Sequence, residues 1–235
     1  MNAPTITLHS TCSDCVCPCT NECDLSPRNA PLFTHGEEVR FDRGRTIWSR
    51  GESADFVLAI CTGVLAQTRT WKGRKEVVVN LACRGDVIGA EAVMPDGKRP
   101  FGCRVIEPVK AVAIDRKRLG EILLTNPELR QPLLECTLAE VGQLADHLPD
   151  LGSGRIPARL AKILLRIADR LAIRDARGLF IPVKLRRTDL ADMLACRSET
   201  VIRVMTKWER EGLVHTQREG LVLMNAEALR EIAAS

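Results

Sequence analysis

Five cysteines, Cys12, Cys15, Cys17, Cys19 and Cys23, fall within the run CSDCVCPCTNEC near the start of this 235-residue chain. Thiols this close together cannot form several disulfides among themselves, but thiolates at this spacing can wrap one metal centre. The start, Met-Asn-Ala-Pro, has neither a basic n-region nor an apolar h-region, so a reducing cytoplasmic setting is expected. In that setting such a cluster reads as metal ligands or as a redox sensor before it reads as structural disulfides.

A second constellation can read nucleic acid. In CRSETVIRVMTKWEREG, Val201, Val204, Met205 and Trp208 recur at helical spacing as a core face, while Glu199, Arg203 and Lys207 share another. Arginine donates two parallel hydrogen bonds to guanine O6 and N7, and glutamate accepts from cytosine N4, so together they can read a G·C pair in the major groove. Lys207 and Arg210 suit phosphates. Arg197, Ser198, Thr200 and Ile202 complete the candidate DNA-binding set.

The elements that must position this face are legible around it. Thr188 is a suitable N-cap for a short helix over 189–194, Ala195 and Cys196 form a turn, and a second helix runs from Ser198 to Glu211 and ends at Gly212. LVHTQREGLVLMN then reads as two short strands around Arg218-Glu219-Gly220, the wing of a winged helix-turn-helix. From Ser153 onward the chain holds 16 Lys and Arg against 10 Asp and Glu, within a total net charge of +4, so the residues ahead of it net −2. A basic rear behind a slightly acidic front suits a polyanion-binding domain joined to a sensor.

The front is organised differently. From Pro31 to Asp115, short apolar segments (46–48, 56–61, 64–68, 76–81, 87–88, 105–106 and 109–114) alternate with glycines, the pattern of an antiparallel barrel or jelly roll. Leu119, Ile122 and Leu123 then suit a short helix, and Asn126-Pro127 a stop and a new start. The longer helix that follows, with Pro132 in its first turn, carries Leu129, Leu133, Cys136, Val141, Leu144 and Leu148 as a stripe that fits a core or a dimer contact equally. PDLGSG, residues 149–154, has hinge punctuation, and Leu160, Ile163, Leu164, Ile167 and Leu171 line one face of a helix over 156–171. The expected class is α+β, divided as an arm over 1–30, a β-roll over 31–115, the two helices over 116–152 and a winged helix over 153–235.

Taken together, residues 31–235 resemble the CRP/FNR family of bacterial transcription regulators, most specifically in C-R-S-E-T-V-I-R at Cys196–Arg203 and G-D-V-I-G at Gly85–Gly89. The resemblance implies a β-roll, a long dimerisation helix (Leu133, Cys136, Val141, Leu144, Leu148), base contacts by Glu199 and Arg203, a palindromic operator with a G·C pair in each half-site core, and RNA polymerase as partner. Ser198 and Ile202 stand where branches of the family differ, and Ser198 is also placed to serve as N-cap. The cyclic-nucleotide branches use a Gly-Glu pair for the ribose and an Arg-Ser pair for the phosphate. Here Gly89-Ala90-Glu91 is displaced by one, and Arg99 is followed by Pro100, which has neither hydroxyl nor N–H. Cyclic nucleotide binding is not expected, and Arg99 and Glu91 read as loop charges.

The redox branch of the family carries an N-terminal cysteine cluster that ligates an oxygen-labile iron-sulfur centre. Cys12, Cys15 and Cys23 give a similar C-x2-C-x7-C spacing, with Cys17 and Cys19 extra. The family's fourth ligand falls near Ala113, where there is no cysteine; Cys103 is the nearest substitute, unless four of the five arm thiols suffice. A 4Fe–4S centre needs about four converging thiolates. Zinc accepts the same donors, although Cys17-Pro18-Cys19 is tight for paired C-x2-C knuckles, and a metal-free thiol switch is the third reading. Cys61, Cys83, Cys136 and Cys196 lie in apolar or structural segments and read as packing, and His9, His35, His147 and His215 show no haem motif. No Ser/His/Asp grouping, carboxylate pair, P-loop or dinucleotide fingerprint points to an enzyme; an iron-sulfur redox enzyme or electron carrier would leave the helix-turn-helix unexplained. No apolar run approaches the roughly 20 residues of a membrane span.

Overall fold

The computed structural model describes residues 34–71, 75–152 and 154–234. Cys12, Cys15, Cys17, Cys19 and Cys23, and the metal-binding expectation with them, lie outside the described residues.

Strands β1 (Glu37–Phe41), β2 (Thr46–Trp48), β3 (Phe56–Trp71), β4 (Lys75–Cys83), β5 (Val87–Ile88) and β6 (Gly102–Asp115) form one sheet in the order β1-β6-β3-β4, with β2 on β6 and β5 on β3. β1 is absent from the sequence reading because charges flank its two inward residues; Val39 and Phe41 are buried while Arg40 is exposed, and Glu37 to Phe41 pair antiparallel with Ala113 to Val109. The segments 56–61 and 64–68, read as two strands broken at Gly63, are one. Gly63 has φ 88°, and a Cβ there would lie 2.2 Å from the Pro108 carbonyl oxygen. The glycine therefore lets the strand pass close to β6 without ending. The segments 105–106 and 109–114 likewise join through Pro108 in β6.

Over Val57 to Ile60, β3 is buried on both faces. Leu58 and Ile60 point into the roll with Val39, Phe41, Trp48, Val105 and Ala111, whereas Val57 and Ala59 pack under the helices with Ile114, Leu119, Ile122, Leu129 and Leu133. Helix α1 (Arg116–Thr125) starts where Asp115 accepts from the Arg118 N–H at 3.0 Å. A 3-10 turn over Pro127–Leu129 leads into α2 (Arg130–Gly152), which runs past Pro149, so the expected hinge shortens to the residues around Gly154, where φ is 102°.

The chain divides into two compact units between Gln143 and Leu144, with Thr68–Asn80 grouped with the second. The second unit contains α3 (Ile156–Leu171), β7 (Ile173–Asp175), β8 (Gly178–Ile181), α4 (Arg187–Met193), α5 (Ser198–Arg210), β9 (Val214–Gln217), β10 (Gly220–Leu223) and α6 (Ala226–Ala234), with sheet order β7-β8-β10-β9. Leu160, Ile163, Leu164 and Ile167 of α3 are buried as the periodicity predicts. The β7-β8 hairpin and α6, which packs on α3 through the buried Leu229, are additional to the sequence reading. No described helix is long and apolar enough to cross a membrane.

The Gly63 crossing is testable. Gly63→Ala is expected to destabilise the roll by on the order of 2–3 kcal/mol, since left-handed backbone strain adds to a clash with backbone atoms. A urea unfolding curve with unchanged midpoint would show that the crossing tolerates a side chain.

Candidate nucleic-acid interface

Helix α4 begins earlier than Thr188 as N-cap would allow. Arg186 is the N-cap residue, and its backbone N–H donates to Asp189 Oδ2 at 3.0 Å. A carboxylate at the third helical position satisfies the cap amide, so Thr188 lies inside the helix. α4 ends in a Schellman turn. Cys196 N–H donates to Ala191 O at 3.0 Å and Ala195 N–H to Asp192 O at 3.3 Å, with Ala195 at φ 50°. From α3, Arg159 Nη2 donates to Leu194 O at 2.6 Å, anchoring the turn.

α5 follows with Arg197 as N-cap and no side-chain cap. Ser198 is therefore the first helical residue and is not consumed as a cap, which leaves its hydroxyl available. Val201, Val204, Met205 and Trp208 are buried, as their spacing predicts. Arg197, Glu199, Ile202, Arg203 and Lys207 are exposed, and Ser198 and Thr200 are half-buried. Neither Glu199 nor Arg203 is engaged by an ion pair among the described residues, whereas Lys207 lies 3.6 Å from Glu211. The arrangement is a rigid helix with an apolar seat and an outward face of one carboxylate and several cations.

A cluster that sequence reasoning missed ties this helix to the wing. Arg187 Nη2 lies 2.7 Å from Thr216 Oγ1 and 3.3 Å from Glu209 Oε1, and Thr216 donates to Glu209. Partial burial lowers the Arg187 pKa from its usual value, opposed by the Glu209 carboxylate. The partners come from α4, α5 and β9, 22 and 29 residues apart, and no local pattern signals them.

The expected dimer stripe is only partly available. Leu133 is 6% exposed and joins the core, with Cys136 packed against it, because Leu129, Leu133 and Cys136 form the face that covers β3. The uncovered stripe is Leu134, Leu138 and Val141, at 58%, 60% and 55% exposure. Leu144 is half-buried, and the Leu148 side chain lies outside the described ones. Arg99, read as a loop charge, is instead 1% exposed and paired with Glu91 at 2.9 Å. Cys103 is also 1% exposed, and burial pushes its thiol pKa far up.

Comparison with known proteins agrees with this geometry. Residues 38–126 match the family model of the cyclic nucleotide-binding domain, and residues 158–232 that of the Crp-like helix-turn-helix domain. The chain is 26% identical to the nitrogen fixation regulation protein FixK of Bradyrhizobium diazoefficiens, over 95% of this chain and 94% of that protein. It is 28% identical to the transcriptional activator protein FnrL of Cereibacter sphaeroides, over 90% and 86% respectively. The solved structure of FixK2 from Bradyrhizobium japonicum superposes with a TM-score of 0.74 at 21% identity, covering 85% of this chain and 98% of that one. With both family models matched in this order along one chain, the protein belongs to the CRP/FNR family of transcription regulators.

Proposed function

We propose that the protein is a homodimeric, sequence-specific DNA-binding regulator whose affinity is controlled by an iron-sulfur centre, 4Fe–4S, held by the cysteine arm and responsive to oxygen or redox state. The observation that carries the DNA-binding part is the free outward presentation of Glu199 and Arg203 on a helix whose opposite face is locked by Trp208 and its neighbours. Arg203 would read guanine and Glu199 the paired cytosine, with Arg197, Ser198, Thr200 and Ile202 beside them and Lys207 toward phosphate. Two copies joined along α2 through Leu134, Leu138 and Val141 would present two such faces to a palindrome, with RNA polymerase the partner at the promoter.

The donor chemistry fits the centre if the arm alone supplies it. Cys103 is buried in the roll with its thiol held protonated by desolvation, which suits packing and not ligation. Among the described residues no group of three or more His, Cys, Asp or Glu could hold a metal. Four of Cys12, Cys15, Cys17, Cys19 and Cys23 would then be the ligands. When bound, such a centre supplies iron-sulfide bonds that oxygen attacks. The arm cysteines would hold the centre, and α2 would set the spacing of the two recognition helices.

Four outcomes are expected. Arg203→Ala should weaken operator binding by about 1–3 kcal/mol and relax preference at one base pair, while Lys207→Ala should weaken all sequences alike and reduce the salt slope by about one; uniform loss in the arginine variant would make it a phosphate contact. Leu138→Glu should yield monomers by light scattering, and an unchanged dimer would place the contact elsewhere. Protein purified without oxygen should contain about four iron and four sulfide per protomer, retained in Cys103→Ala, and should change its DNA affinity on oxidation. Zinc alone, or equal affinity in both states, would sink the cluster switch.

A further inference from the structure

Arg99 is the one fully buried cation among the described residues. Its guanidinium carbon sits 4.0 Å from the Trp48 ring centroid and 4.9 Å from that of Phe56. Nη2 donates to Phe56 O at 2.6 Å, and Nη1 to Glu91 Oε1 at 2.9 Å, with Gly89 O at 3.5 Å. Nε is buried without a partner. The loop closes tightly on this cation. Gly89 has φ 87°, and a Cβ on it would lie 2.5 Å from Arg99 Nη1.

A guanidinium does not shed its proton, so one buried between two rings requires an anion nearby. Carbonyl oxygens contribute only partial charge. Glu91 supplies the full one, from the 3-10 turn Ala90–Val93 that begins next to Gly89, and its own side chain remains 24% exposed. The anion thus comes from the same loop, eight residues before Arg99 in the chain, at high effective concentration and with little ordering cost.

This bears on the cyclic nucleotide-binding domain that residues 38–126 match, whose ligands bring an anionic phosphate. The donors do not fit such a ligand here. Both terminal nitrogens are already engaged, Nε is shut from solvent, and Pro100 next to Arg99 offers no N–H. We infer that Glu91 is a built-in anion, its carboxylate holding the seat at Arg99 that a phosphate would otherwise take, so that the roll is closed around an internal ion pair. Glu91 and a phosphate are then mutually exclusive at Arg99, and removing the carboxylate creates an anion site. The inference stands independently of the iron-sulfur reading.

The test is thermal melting of the full-length protein, reduced and under anaerobic conditions, in chloride and with inorganic phosphate or cyclic AMP at matched ionic strength. Wild type should show no shift with either probe. E91A should melt roughly 5–10 °C lower in chloride, as expected for a buried charge stripped of its partner. Inorganic phosphate should restore the loss saturably, and restoration should vanish in E91A/R99M. Where E91A does not fold in chloride, E91Q, which removes the charge and keeps the shape, should show a smaller loss and a weaker but still saturable response to phosphate. A saturable shift of wild type with cyclic AMP would overturn the inference, because the seat would then be open. So would indifference of both Glu91 variants to phosphate, or restoration that persists without Arg99.

Discussion

Over Val57 to Ile60, strand β3 has no solvent side, and much of the first unit follows from covering it. Leu58 and Ile60 fill the roll, but Val57 and Ala59 on the other face also need apolar cover, which Leu119, Ile122, Leu129 and Leu133 provide. Fully burying a side chain of the Val or Leu class is worth roughly 1.5–3 kcal/mol, so together these contacts outweigh any single loop preference. Pinning one face of α2 against the strand commits Leu133 and Cys136 inward and turns Leu134, Leu138 and Val141 outward. One requirement of the sheet thereby decides which stripe of the helix a second copy could use.

In the second unit the same division of faces serves recognition. Trp208, Met205, Val204 and Val201 seat α5, and Ala195 accepts a left-handed backbone so that the Schellman turn can close between α4 and α5. Such a conformation costs about 1 kcal/mol in a residue other than glycine. The turn returns backbone hydrogen bonds for it and sets the angle of the helix. Arg187, Glu209 and Thr216 add a polar clasp from the wing. Among the described residues neither Glu199 nor Arg203 is held by an ion pair, so both side chains stand open on the outer face of α5.

Burial also separates two kinds of reactive group in the roll. The Cys103 thiol can stay neutral when desolvated, so it behaves as a small apolar side chain. Arg99 has no neutral form within reach, and burial instead forces a partner on it, which Glu91 provides. A roll built around its own ion pair gains specificity of fold while losing an easily reached cationic seat.

What the sequence determined by itself was local. The order of roll, helices and winged helix, the apolar face of α5, its Glu199/Arg203 face and the wing around Gly220 follow from periodicity, turn residues and side-chain chemistry within short windows. Tertiary structure alone decided the rest. Gly63 and Pro108 read as strand breaks, whereas Gly63 admits the Pro108 backbone at close range and both strands continue. Leu133 and Leu134 are neighbours of equal hydrophobicity, and only the position of β3 makes one core and the other surface. Arg99 looked like a loop charge, and Arg187 carried no signal at all, because a charge is defined by its partners, and these come from residues 8 to 43 positions away for Arg99 and 22 and 29 away for Arg187. Periodicity tells which residues can share a face, whereas the partner that a face or a charge finds is settled by which distant segments the fold brings to it.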